Sequence, residues 1–202
     1  MLYLAFIFHM HQPYYKNLLT QESGLPWVRL HGVKDYLDMV EILKDYPAIH
    51  QTFNLVPSLI EQIEDYASNN VKDKFFELSL KPAQQLTSSD KEFLLRNFFS
   101  INKEKVIFLF PRYYELFFKK HRNKEFTTQD FLDLQVLFNL AWIDPSFRKK
   151  SSELESMVHK GRFYSEEDKN LVLPKQLEIL ANIIPGYKKL INSGQIEVST
   201  SP

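Results

Sequence analysis

Two imidazoles and an amide stand next to one another near the start of the chain: His9, His11 and Gln12, followed directly by Pro13. The preceding apolar run, residues 2–8, is typical of a strand buried on both faces of a parallel sheet. Because proline cannot donate to a strand ladder, we expect this strand to end before Pro13. His9 and His11, two positions apart, are expected on the same side of the chain.

The carboxyl ends of strands in α/β folds are where ligands bind, so these side chains predict a ligand site. The alternative is that both histidines are hydrogen-bonded residues at a structural rim. Arg29 and His31 follow a loop that is expected to lie over the same place, and both residue types can bind sugar hydroxyls. For Arg29 the alternative is an ion pair with a carboxylate.

Two later residues are expected to join this cluster. Asn54 lies at the end of a predicted second strand, residues 49–55, although it could instead cap the helix that Pro57 opens. Glu197 alternates with apolar neighbours in a predicted third strand, residues 195–200, so it is expected to point into the fold. A carboxylate there needs a partner, a ligand or a proton. One alternative is a buried His–Glu pair; another is a divalent-metal site formed by His9, His11 and Glu197.

The order of elements predicts an α/β fold. Strand, helix, strand and helix alternate up to residue 67, which indicates a parallel sheet with helices outside. Strand patterns then disappear, and residues 68–165 are expected to be a large helical insertion, too long for a simple connection. A final segment, residues 166–202, is predicted to hold a long helix interrupted or kinked by Pro174 and Pro185, then the third strand.

Composition excludes several classes of protein. The 25 basic and 25 acidic side chains balance, which argues against nucleic-acid binding. There is no cysteine, and the first apolar run is too short to cross a membrane and lacks a basic leader region. We therefore expect a cytoplasmic protein without disulfides, membrane spans or cofactors.

Four segments, in order along the chain, resemble glycoside hydrolase family 57, in particular its amylopullulanase and α-amylase branch. They are HMHQP at 9–13, WVRLHGVKDY at 27–36, TFNLVPSL at 52–59 and GQIEV at 194–198. The resemblance implies a seven-stranded (β/α)7 barrel, of which this sequence contains about three strands. It also implies a retaining enzyme that acts on α-glucans or maltooligosaccharides and needs no metal.

The resemblance further implies that His9, His11, Gln12 and Glu197 contact substrate or support the active site. Its nucleophile Glu and acid/base Asp belong to later signature regions, so both are expected beyond Pro202. These residues alone are then expected to have little activity: either they are the N-terminal part of a split or truncated enzyme, or a second chain completes the barrel. The alternative is a non-catalytic carbohydrate-binding or regulatory remnant of that fold.

Overall fold

The computed structural model describes residues 4–201. Within them the strands are Ile7–Met10 (β1), Glu22–Ser23 (β2), Gln51–Leu55 (β3), Lys72–Asp73 (β4) and Ile196–Ser199 (β5). The α-helices are Trp27–His31 (α1), Leu37–Leu43 (α2), Pro57–Ala67 (α3), Lys74–Leu80 (α4), Ser88–Asn97 (α5), Pro111–His121 (α6), Thr128–Trp142 (α7), Pro145–Lys150 (α8), Ser152–Lys160 (α9) and Glu166–Asn192 (α10).

The chain divides into two compact units. The described residues up to Asp73, together with those from Gln176 onwards, form the sheet unit, and Lys74–Lys175 form the helical unit. The long helix α10 runs without a break past Pro174 and Pro185, so the predicted interruption is absent, and it contributes residues to both units.

The principal sheet confirms the predicted fold class. β1, β3 and β5 lie in the order β1-β3-β5 and both pairings are parallel, which is an α/β arrangement consistent with an incomplete barrel. A second small parallel sheet, β2 with β4, was not expected from the sequence, because each of its strands has two residues and no apolar pattern.

The two faces of the principal sheet differ. Phe53 is buried, and its ring lies 5.6 Å from that of Phe8 and meets Tyr187 of α10 edge-on at 5.1 Å. The opposite face is open and carries two rows of cross-strand partners. The first row is Ile7, Thr52 and Glu197, and the second is His9, Asn54 and Ser199.

The expectation that the first strand is buried on both faces is wrong for the part that the structure describes. Ile7 is 67% exposed and Phe8 is partly exposed, whereas Met10 is buried. The reason is that Ile7 points to the open face, in one row with Thr52 and Glu197, whereas Met10 points to the covered face.

A π-helical turn, Gly32–Tyr36, joins α1 to α2 where a regular helix was predicted. A Cβ atom on Gly32 would lie 2.3 Å from a methyl carbon of Leu180, and Gly186 would meet Leu37 at 3.0 Å. The two glycines therefore let this segment and α10 approach each other more closely than side chains would allow.

The helical unit is organised around α7, which is buried along most of its length. Phe98 and Phe138 stack with their ring centroids 4.2 Å apart. Thr127 forms a capping box with Asp130 at the start of α7, and Thr87 forms one with Asp90 at the start of α5. Of the helices within residues 4–201, none combines the length and apolarity needed to span a membrane.

Candidate functional site

The second polar row crosses the carboxyl ends of all three parallel strands. His9 Nδ1 lies 2.7 Å from Asn54 Oδ1, and Asn54 Nδ2 donates to Ser199 Oγ at 3.0 Å. Ser201 Oγ donates to the same Asn54 oxygen at 3.0 Å. Because an amide oxygen only accepts, His9 must donate from Nδ1, which leaves Nε2 of the neutral ring as an acceptor. Asn54 therefore fixes the orientation of His9 rather than capping α3.

His11 extends this row beyond the end of β1. Its ring is nearly parallel to that of His9, with an interplanar angle of 10° and a centroid distance of 5.7 Å. Both side chains are exposed. The prediction that the two imidazoles share one side of the chain is confirmed, and together they present polar nitrogens and flat ring surfaces to solvent.

Gln12 is held by two tyrosines that the sequence analysis did not single out. Its Nε2 donates to the hydroxyl oxygen of Tyr36 at 3.0 Å, and the Tyr15 hydroxyl donates to its Oε1 at 3.0 Å. Burial raises the pKa of Tyr36 to about 12, so this hydroxyl stays protonated at neutral pH. Because one Gln12 amide hydrogen is donated to Tyr36, the second amide hydrogen remains available as a donor.

Neither tyrosine was visible as a site residue beforehand. Tyr36 fits the apolar spacing of an amphipathic helix, which is typical of a core residue, and its ring is indeed buried. Tyr36 differs from other core residues because it ends a π-helical turn, a rare geometry often found near functional residues. The sequence pattern does not predict this turn.

Glu197 lies on the open face but one row behind the histidines, in register with Thr52. It is exposed, and within the described residues its carboxylate forms no hydrogen bond or ion pair. The alternative of a buried His–Glu pair is therefore wrong. Residues 4–201 also contain no group of three His, Cys, Asp or Glu side chains that could hold a metal ion, so His9, His11 and Glu197 do not form a ligand set.

The structure does not bring Arg29 to this face. Its guanidinium is fully buried, with Nε donating to Asp73 at 3.0 Å and Nη1 donating to Gln176 at 2.5 Å. The Tyr66 hydroxyl donates to the same Asp73 oxygen at 3.1 Å. Because its guanidinium is bonded to these buried groups, Arg29 follows the alternative of an ion pair with a carboxylate. Arg29 is therefore not a ligand-contacting residue of the open face.

His31 is partly exposed and is oriented by a carboxylate. Its Nδ1 lies 2.6 Å from Asp35, which also accepts from Lys34 at 3.0 Å. Burial alone would raise the pKa of Asp35, but hydrogen bonds from His31 and Lys34 outweigh it and lower the pKa. The indole of Trp27 lies 6.3 Å from the His31 ring. The four-residue spacing of His31 and Asp35 was the signal available for this pair.

Comparison with known proteins assigns the chain to a family. The model described as glycosyl hydrolase family 57 matches residues 5–202. The chain belongs to this family. No match was found among curated proteins or among solved structures.

Membership of family 57 implies a glycoside hydrolase and hence a carbohydrate substrate. Imidazole, amide and hydroxyl groups on the open face are suited to hydrogen-bonding sugar hydroxyls. Hydrolysis of a glycosidic bond generally requires two carboxyl groups. The strands β1, β3 and β5 of this family 57 chain contain one acidic side chain, Glu197.

Proposed function

We propose that this chain supplies the substrate-contacting part of a retaining family 57 enzyme that acts on α-glucans or maltooligosaccharides. His9, His11, Gln12, Asn54 and Glu197 contact the sugar in this proposal, and His31 borders the site. The observation that carries it is the hydrogen-bonded row of His9, Asn54 and Ser199 across the ends of three parallel strands.

The character of the row supports a neutral, hydroxyl-rich ligand. Its groups offer both donors and acceptors, and the surrounding tyrosines hold Gln12 in one orientation before a ligand arrives. Polar groups fixed in advance lose little conformational freedom on binding. A charged substrate would need an excess of opposite charge, whereas Glu197 is the one acidic residue in the strands β1, β3 and β5.

A retaining glycosidase places its two carboxyl groups about 5–5.5 Å apart. In this proposal the nucleophile Glu and the acid/base Asp are supplied by further barrel strands, either later in the polypeptide or from a second chain. The described residues then bind glucan without hydrolysing it. In this proposal residues 1–67 and 166–202 form segments of the barrel, and residues 68–165 form a helical insertion between them.

Binding of maltoheptaose to the isotope-labelled chain, followed by NMR, tests the site. Replacing His9 or Asn54 with Ala is expected to weaken binding about three- to tenfold, because each removes one hydrogen bond to the ligand or its support. His50→Ala is the matched control: His50 is also exposed but precedes β3, at the opposite end of the sheet.

The proposal fails if His9→Ala and His50→Ala bind maltoheptaose equally well. To separate an enzyme part from a binding remnant, the chain is mixed with a polypeptide carrying the later family 57 signature regions. Appearance of α-glucan hydrolysis in the mixture supports the enzyme; tight glucan binding without any hydrolysis supports the remnant.

A further inference from the structure

We propose that the helical unit carries a second carbohydrate site, separate from the open face of the sheet. It is a recess of about 540 Å³ along one side of α6, which we call the α6 recess. Tyr114, Glu115, Phe118, Arg122 and Lys124 are among the residues that line it. All of them belong to the helical unit, and none was assigned a role in glucan binding above.

The recess contains an aromatic surface open to solvent. The Tyr114 ring lies 4.6 Å from that of Phe118 and 5.0 Å from that of Phe108. Tyr114 is nevertheless 42% exposed, and Phe108 is also exposed. Aromatic rings that are packed on one side and free on the other provide the flat, rigid surface on which the apolar face of a sugar ring stacks.

A further exposed ring, Phe163, is connected to the recess through its neighbour Arg162 and has an unusual backbone conformation. It is 66% exposed and adopts a left-handed backbone conformation, with φ of 54°. Bulky residues rarely occupy this region, and where they do the conformation often serves a function. Arg162 lies over the Phe163 ring at 5.9 Å and forms an ion pair with Glu115, which lines the recess.

Part of the positive charge around the recess is already compensated by carboxylates. Arg112 is paired with Asp133 at 2.8 Å, and Lys119 is paired with Asp130 at 2.6 Å. These cations are therefore already neutralised. Arg122 and Lys124 are exposed, form no ion pair within the described residues, and remain as hydrogen-bond donors for hydroxyl groups. Exposed rings with scattered donors suit a polyhydroxyl chain.

The choice of α-glucan as the ligand rests on the proposed function, since a long glucan could bind both sites of one molecule. A weak second site then raises the apparent affinity for polymer more than for short oligomers. We therefore expect the α6 recess to matter most for glycogen and soluble amylose.

The test measures retardation of the full chain by glycogen in native gels and its affinity for maltoheptaose by calorimetry. Tyr114→Ala and Phe163→Ala are each expected to weaken glycogen binding about three- to tenfold, the loss expected for one stacking surface. Tyr46→Ala, which removes a 54% exposed tyrosine of the sheet unit, is the matched control and should leave binding unchanged. Circular dichroism confirms that each variant is folded.

His9→Ala, measured in parallel, separates this inference from the proposed function. If Tyr114→Ala and Phe163→Ala bind glycogen like the wild type while His9→Ala does not, the α6 recess is not a glucan site. If both recess variants lose binding and His9→Ala does not, the recess is supported and the site on the sheet is wrong. An unmodified chain that binds neither ligand overturns both.

Discussion

At the scale of single residues, the sheet unit depends on an arginine that water does not reach. Arg29 and Asp73 are both buried and paired, and Tyr66 also binds Asp73. Removing one member of a buried pair leaves the other charge without compensation, which commonly costs about 3–5 kcal/mol. We predict that Arg29→Met, which keeps much of the volume, lowers the free energy of unfolding by about this amount in urea titrations.

Arg96→Met provides the control for that loss of charge. Arg96 pairs with Glu92 one helical turn away, but both side chains are exposed. Such pairs contribute about 0.5 kcal/mol or less, so the two variants should differ several-fold in their cost. Equal unfolding free energies for Arg29→Met and Arg96→Met would contradict a structural role for Arg29.

Tyr36 acts on the proposed site through Gln12 rather than by touching the ligand. Tyr36→Phe removes the acceptor for the Gln12 amide while keeping the buried ring, so Gln12 gains freedom. We predict that maltoheptaose binds about two- to tenfold more weakly and that the Gln12 side-chain amide resonances shift in NMR spectra. Tyr66→Phe, which removes a buried tyrosine hydroxyl of the same unit that is bonded to Asp73 rather than to Gln12 or Tyr36, should not shift them.

The sequence predicts those residues of the candidate site that lie at the ends of predicted strands. His9 and Asn54 lie together as expected, because parallel strands end at the same edge of a sheet. Their residue types and their positions at strand ends were sufficient to predict this. Arg29 was misplaced because its partners, Asp73 and Gln176, are distant in sequence. Tyr15 and Tyr36 were not predicted as site residues, because a hydrogen bond to Gln12 produces no periodic pattern in the sequence.

At the scale of elements, the close approach of the π-helical turn to α10 should be sensitive to one methyl group. A Cβ on Gly32 would overlap Leu180, which is itself buried and cannot move aside freely. Overpacking of this kind costs about 1–3 kcal/mol. We therefore predict that Gly32→Ala lowers the free energy of unfolding by this amount in urea titrations.

The matched control is Gly24→Ala. At Gly24 the nearest atom to an added Cβ is a backbone oxygen at 3.8 Å, which is an ordinary contact. This variant should be as stable as the wild type. A Gly32→Ala protein that is equally stable would mean that the turn shifts to accept the methyl group, and that the glycine is not needed for packing.

The start of α7 should make the helical unit sensitive to acid. Burial alone would raise the pKa of Asp130, but hydrogen bonds from Lys119, Thr127 and Arg112 lower it to about 2. Because the folded-state pKa lies below the ordinary value of 3.8, the stabilisation is present above that pH and is lost as pH falls towards 2.

Asp130→Asn is expected to lose this contribution already at pH 7 and to show a shallower fall in stability between pH 4 and 2 than the wild type, measured by urea unfolding across pH. Glu92→Gln changes an exposed carboxylate of the same unit and should keep the wild-type slope. Parallel pH curves for Asp130→Asn and the wild type would refute the assignment.

Helices whose ends are set by local chemistry were predictable. The capping box of Thr127 fixed the start of α7, and Pro57 fixed the start of α3. The π-helical turn, the β2–β4 pairing and the unbroken course of α10 past its prolines were not predictable. Each depends on packing between segments far apart in sequence, which overrides local preference.

At the scale of the whole molecule, the described sheet has two open edges. β1 and β5 each pair with β3 alone, so their outer backbone groups have no strand partner among residues 4–201. The apolar side chains of Leu4, Phe6 and Ile7 lie exposed along the β1 edge. Edges of this kind recruit other strands, whether these come from the proposed remainder of the barrel or from further copies of the chain.

We predict that the chain on its own associates through the β1 edge as its concentration rises, and that Ile7→Lys suppresses this association. A lysine on an edge strand opposes pairing because a second strand would have to bury its charge, while folding is unaffected since Ile7 is 67% exposed. Sedimentation velocity over a concentration series measures the effect. Leu19→Lys, an equivalent change in an exposed loop, should associate like the wild type. If both lysine variants associate alike, contacts other than the β1 edge hold the copies together.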